Sequence, residues 1–246
     1  MEPNTLDIFS LSVLLILGVV VPLLGIWDFR RLMRWVDEGR PEARMKTYRF
    51  LLVMEWGLTL GLLSWWLLSG RDLKSLSIIS SFQGWEWLAL GIGLSGIAFM
   101  IWQMSNVLAS PEEQEKLRAT MGDLRDLAPQ SPMEVRTFDL VSMTAGVCEE
   151  ILYRGILMGA LIPVVGLWPA VGLSSVIFGM GHFYQGFTGI VKTTAVGLVM
   201  ALLTVFSGSL FIAIVFHAVI DLTSGRMMAA ALSQESRLPG LGLEKT

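Results

Sequence analysis

Apolar blocks of about 20 residues, separated by short charged stretches, limit the fold of this chain more than any other feature. A helix rises about 1.5 Å per residue, so a block of that length crosses the hydrocarbon layer once. Seven blocks can be drawn, over about residues 9–27, 50–69, 86–104, 138–162, 165–183, 187–206 and 209–225. In lipid the backbone amides have no water partners, so runs this long and unalternating form helices rather than barrel strands. Charged residues make up only 16% of the chain against about a quarter in soluble domains, which agrees with a membrane setting. The expected fold is all-α, a polytopic transmembrane bundle of about seven spans within a range of six to eight.

The placement of charge orients the bundle. Arg30, Arg31, Arg34, Arg40, Arg44, Lys46, Arg49, Lys116, Arg118, Arg125, Arg136, Lys192, Arg226, Arg237 and Lys245 fall at one end, and Arg71 and Lys74 at the other. Basic residues stay on the cytoplasmic side, so the N-terminus is expected outside and the C-terminus in the cytoplasm. The acidic start MEPNTLD lacks the basic region of a cleaved signal peptide, so the first helix is expected to remain. Trp65, Trp66, Trp85, Trp87, Trp102 and Trp168 cluster near span ends, where interfacial anchoring and core packing are equally good readings. In the stretch 111–127, Ser110 as N-cap, Pro111 and the acids after it predict a short helix along the cytoplasmic surface. A net charge of −3 gives no case for nucleic acid, and the single cysteine, Cys148, rules out an intramolecular disulfide and reads as a packing residue.

Ionisable residues inside spans are costly and are therefore functional candidates. They concentrate in spans four, five and seven. From Glu150 to Arg154 a helix turns through about 400°, so the two side chains share a face and can pair. Glu149 stands about 100° away round the helix and remains available as a base or acid. Span five ends in Phe178-x-x-x-His182, and span seven holds His217-x-x-x-Asp221, each pair on one face. Singly, each histidine reads as well as a structural hydrogen-bonding group; three helices placing such groups at overlapping depth points to a site. Glu55 reads as a snorkelling or structural residue within the first turns of span two. Tyr153, Gln185 and Lys192 lie near the motifs in sequence.

Taken in order, Glu149-Glu150-x-x-x-Arg154, Phe178-x-x-x-His182 and His217-x-x-x-Asp221 resemble the motifs of the CAAX protease and bacteriocin-processing (CPBP, or Abi) family of intramembrane peptidases. The resemblance covers about residues 128–225 and includes AGVCEEILYRGIL around the first motif. It implies a four-helix catalytic core over 128–225, preceded by N-terminal helices and loops over 1–127 and followed by a cytoplasmic tail over 226–246. It also implies that Glu149 and His182 activate a water, that His217 with residue 221 stabilises the oxyanion, and that Glu150 and Arg154 orient the site. The family pattern ordinarily ends in Asn, whereas this chain has Asp221. An ionised Asp would repel an oxyanion, so here it is expected to orient His217 by accepting from its ring N–H.

The expected activity is hydrolysis of a peptide bond in a membrane-associated substrate, without a resident cofactor. Glu149, His182 and His217 are also a zinc donor set, so a metallopeptidase is the alternative, although the HExxH spacing is absent. The resemblance suggests prenylated proteins, or bacteriocin or signal-peptide precursors, as substrates, and membrane lipids as surroundings, in a bacterial-type plasma membrane. A noncatalytic membrane scaffold and a proton-coupled transporter are the readings from other classes.

Overall fold

A computed structural model describes residues 7–76 and 84–233. The segment MEPNTL and the basic residues Arg237 and Lys245 lie outside the described residues. No strand occurs among the described residues, and the chain folds as an all-α bundle. Helix α1 runs over Ile8–Asp37, with a π-helical turn at Ile16–Val20. It is followed by α2 (Ala43–Leu68), α3 (Trp85–Ala109) and the short α4 (Pro111–Thr120). Helix α5 starts with Pro132–Glu150, passes through a π-helical segment Ile151–Leu157 and ends with Met158–Val165. Then come α6 (Leu167–Gly181), α7 (Gly186–Ser207) and α8 (Leu210–Ser233).

The seven predicted spans correspond to α1, α2, α3, α5, α6, α7 and α8, with shifted ends. Helix α2 begins at Ala43 rather than near 50, and α8 continues to Ser233 rather than stopping near 225. The extra turns carry Arg44, Lys46, Arg49 and Arg226, charged residues that a hydropathy reading excludes but a helix end accommodates. Five helices are long and apolar enough to cross a membrane by length and composition. The other two, α5 and α6, each bear a motif, as α8 also does. At 15 residues, α6 rises only about 22 Å, and α5 carries Glu149, Glu150 and Arg154 in its middle.

Ser110 caps α4 by accepting from the Glu113 amide, as its sequence predicts, but the helix stops at Thr120. Gly122 takes a left-handed φ of 51° and only a single turn, Leu124–Leu127, follows. This segment closes one end of the bundle. Arg44 donates to Asp126 O at 2.9 Å, Tyr48 donates to Leu127 O at 2.6 Å, and Met121 and Ala128 pack on Ala231 and Leu232 of α8. At the opposite end Arg71 pairs with Asp7, and Trp66 is buried against Phe9 with its indole N–H donating to Asp72 O. Trp66 is thus a core residue, whereas Trp87, Trp102 and Trp168 are exposed. Leu60, Leu88, Ile92, Phe99, Phe187 and Phe211 also point outward, an apolar exterior suited to lipid rather than water.

Helix α5 is the hub. It packs along α8 and α2, while α6 packs on α7, and α8 also contacts α3. Its register is set at the start by a capping box: the Ser131 side chain accepts from the Glu134 amide, Glu134 accepts from the Ser131 amide, and Pro132 occupies the first helical position.

Candidate active site

Eighteen and nineteen residues beyond that cap, α5 delivers Glu149 and Glu150, and the helix at once widens into the π-helical segment. Such segments, rare in helices, shift the side chains that follow by part of a turn. Arg154 lies within it, and its Nη1 donates to Glu150 Oε1 at 2.9 Å, with both side chains fully buried. Its Nη2 donates to Gly197 O on α7 at 2.8 Å, and the guanidinium lies over the Phe178 ring, 4.4 Å from the centroid. A Cβ at position 197 would stand 2.9 Å from the Phe178 ring and 3.1 Å from Arg154 Nη2, so glycine is what admits the guanidinium. A buried charge pair of this kind needs its remaining donors occupied, and the Gly197 carbonyl takes one of them.

His217 of α8 approaches the same carboxylate. Its Nδ1 stands 2.7 Å from Glu150 Oε1. A carboxylate only accepts, so Nδ1 carries the hydrogen and Nε2 faces the other way. Nε2 lies 3.6 Å from Glu149 Oε2 and 3.6 Å from Asp221 Oδ2. The close approach of α8 to α5 depends on Gly146, where a Cβ would meet the backbone and Cβ of Ala218 at 2.9 Å. The orienting contact expected from Asp221 is therefore made by Glu150. Asp221 sits beside Nε2 at a distance beyond an ordinary hydrogen bond. Sequence spacing within α8 could show that positions 217 and 221 share a face, but not which ring nitrogen an acid from α5 would reach.

His182 ends α6. Its Nδ1 donates to Phe178 O at 3.1 Å, since a carbonyl can only accept, and in the neutral ring this leaves Nε2 as an acceptor. Phe178 is wedged between the two imidazoles, with ring centroids 5.1 Å from His182 and 5.8 Å from His217. Glu149, His182, His217 and Asp221 line a cavity of about 380 Å³. Helices from both sides of residue 128 contribute walls, with Val21, Gly25, Leu51 and Met54 from α1 and α2. Tyr153 and Gln185 also line it, whereas Lys192 borders a neighbouring pocket with Arg30 and Gly122.

Glu55, read from the sequence as snorkelling or structural, lies deeper than its place in the chain suggests. Glu55 does not snorkel: it is buried and lines the same cavity. Because α2 starts at Ala43, Glu55 lies more than three turns inside the helix rather than near its end. The available signal was its charge within an apolar run. Cys148 is buried next to Glu149, as a packing residue would be.

Zinc needs about four donors in a tight tetrahedron. Glu149 and His217 come together, but among the described residues no three His, Cys, Asp or Glu side chains are grouped so as to hold a metal ion. As arranged, these side chains do not form a zinc cage.

Residues 132–223 match the family described as type II CAAX prenyl endopeptidase Rce1-like, a stretch that begins at the capped start of α5 and contains Glu149, Glu150, Arg154, Phe178, His182, His217 and Asp221. No curated protein and no solved structure matches the chain. Through this core, the chain is similar to the CAAX protease and bacteriocin-processing family.

Proposed function

We propose that this protein is a CAAX-protease-like intramembrane endopeptidase that uses water, activated by Glu149 and His182, to cleave a membrane-associated peptide or protein. The observation that carries this reading is the meeting of Glu149, Glu150, His217 and Asp221, no contact longer than 3.6 Å, on a cavity that His182 also lines within an apolar bundle. Glu149 is not committed to the Arg154 pair and takes a proton from the attacking water, with His182 Nε2 as the second acceptor on the wall. The water oxygen bonds to the scissile carbonyl carbon, and charge develops on the carbonyl oxygen. His217 donates to that oxygen from Nε2, which requires the ring to hold both hydrogens; Glu149, Glu150 and Asp221 provide the counter-charge. Glu150 and Arg154 keep His217 and α7 in place. Collapse of the tetrahedral species breaks the C–N bond, and the nitrogen leaves with a proton supplied by a carboxyl group of the cavity.

The substrate enters with a lipid or an apolar segment, so prenylated proteins and secreted-peptide precursors are the classes this reading favours. The basic end of the bundle faces the cytoplasm of a bacterial-type plasma membrane in the same reading. Membrane peptidomes of cells carrying the wild type and Glu149→Ala test the function without a guess at the substrate. Peptides that disappear and intact precursors that accumulate in the variant are the expected result. Identical peptidomes at equal protein levels would favour a scaffold.

A further inference from the structure

Within the cavity, Glu55 is an acid that comes from outside the matched segment 132–223. It is 7% exposed, and its Oε2 is buried with no hydrogen-bond partner. It lies close enough to Glu149, Asp221 and His217 for their charges to act on it. Leu51 and Met54, its neighbours on α2, line the same wall and are apolar. A packing role at this position would be met by another Leu or Met at no electrostatic cost, so an unpartnered carboxyl here points to a ligand.

Charge balance says what that ligand is. Glu150 and Arg154 neutralise each other, which leaves Glu55, Glu149 and Asp221 against the imidazoles of His182 and His217. Even with both rings charged, one carboxylate is in excess. In a low-dielectric hollow that excess is relieved when the acids hold a proton in common. Two acids in one site then divide into a base and an acid, the arrangement that amide hydrolysis requires.

We infer that Glu55 is the acid of the site, delivering a proton to the departing amine nitrogen while Glu149 takes one from the water. The inference rests on the peptidase reading given above. Water gives its proton to Glu149 and its hydroxyl to the carbonyl carbon. The C–N bond breaks as the nitrogen takes the proton of Glu55, releasing a carboxylic acid and an amine. Glu149 returns its proton to Glu55 and the site is reset. The groups that bear on Glu55 are Cys148, Glu149 and Tyr153 of α5, Tyr184 beyond α6, and His217 and Asp221 of α8.

The test uses full-length protein in liposomes, comparing wild type, Glu55→Gln, Glu55→Asp and Glu55→Leu. Three quantities are followed: kcat and KM across pH, thermal unfolding, and the infrared carbonyl band of protonated carboxyl groups without substrate. Glu55→Gln, a neutral isostere, is expected to keep its unfolding temperature and KM, lose kcat about 100-fold and lose one pH-dependent carboxyl band. Glu55→Asp is expected to recover part of kcat with a displaced pH profile, and Glu55→Leu to recover none. Wild-type kcat and pH profile in Glu55→Gln would overturn the inference, as would equal cleavage by Glu55→Leu. A carboxyl band lost in Glu55→Gln, together with no cleavage by the wild type, would support the proton site and overturn the peptidase reading instead.

Discussion

His217 Nδ1 and Arg154 Nη1 converge on a single oxygen, Glu150 Oε1, at 2.7 and 2.9 Å. One carboxylate thereby ties α5 to α8, while Arg154 extends the link to α7 through Gly197. Glu149, one residue earlier, is left beside the other nitrogen of the same imidazole. The two adjacent acids thus differ in their surroundings, and the proposed division of labour, in which the first reacts and the second holds, builds on that difference.

Removing the holding acid isolates a buried guanidinium. Breaking one side of a buried pair costs about 3–5 kcal/mol, so Glu150→Ala is expected to unfold far below the wild type in detergent and to lose cleavage. Glu150→Leu with Arg154→Met should regain much of the stability, because apolar replacement of the whole pair removes the desolvation cost. It should not regain activity, since His217 loses its acceptor. Unfolding temperature and cleavage rate, measured on the same samples, check both halves; a double variant that cleaves normally would show that Glu150 does not position His217.

Gly146 sets the approach of α8 to α5. A methyl group there meets the Ala218 backbone at 2.9 Å, which a side-chain rotation cannot relieve. Gly146→Ala is expected to cost about 1–3 kcal/mol through overpacking and to lower kcat about 100-fold by displacing His217 from Glu149. Ala218→Gly in the Gly146→Ala background provides the check: it removes the Cβ contact but leaves the backbone contacts at 2.9 and 3.0 Å, so it should restore only a small part of both losses, and full restoration would mean that the backbone contact is not the cause.

Asp221 stands where the family pattern ordinarily has Asn. An amide can donate to an oxyanion, whereas an alanine leaves only a gap. Asp221→Asn is therefore expected to keep cleavage within about tenfold of the wild type, and Asp221→Ala to lose about 100-fold or more. Steady-state kinetics on the two variants decide it; equal losses in both would mean that the carboxylate itself is required.

Metal removal distinguishes the two chemistries open to two histidines and a carboxylate. Exhaustive treatment with EDTA and phenanthroline is expected to leave the rate unchanged. Loss of cleavage that returns on adding zinc would establish a metallopeptidase and assign Glu149, His182 and His217 as the first ligands to test.

Much of the fold was legible because bilayer-length apolar runs have few other solutions, and α1 to α3 and α5 to α8 lie where those runs do. Helix ends were not, because Arg44, Lys46 and Arg226 extend helices past the apolar stretch. That same error hid Glu55: a start placed seven residues too late put a deeply buried acid near an interface. The pairing of Glu150 with Arg154 was readable from a four-residue spacing. The contact of Glu150 with His217 spans 67 residues and depends on the missing Cβ of Gly146, which no periodicity encodes. The π-helical segment was equally silent, since a change of hydrogen-bond register leaves the apolar pattern of ILYRGIL intact.

The most direct measurement compares purified wild type and Glu149→Gln in liposomes, at matched unfolding temperatures, on a library of lipid-modified and signal-peptide-like substrates. Cleavage by the wild type and a loss of about 1,000-fold or more in the variant are expected. Cleavage at equal rates by both proteins would contradict the role proposed for Glu149.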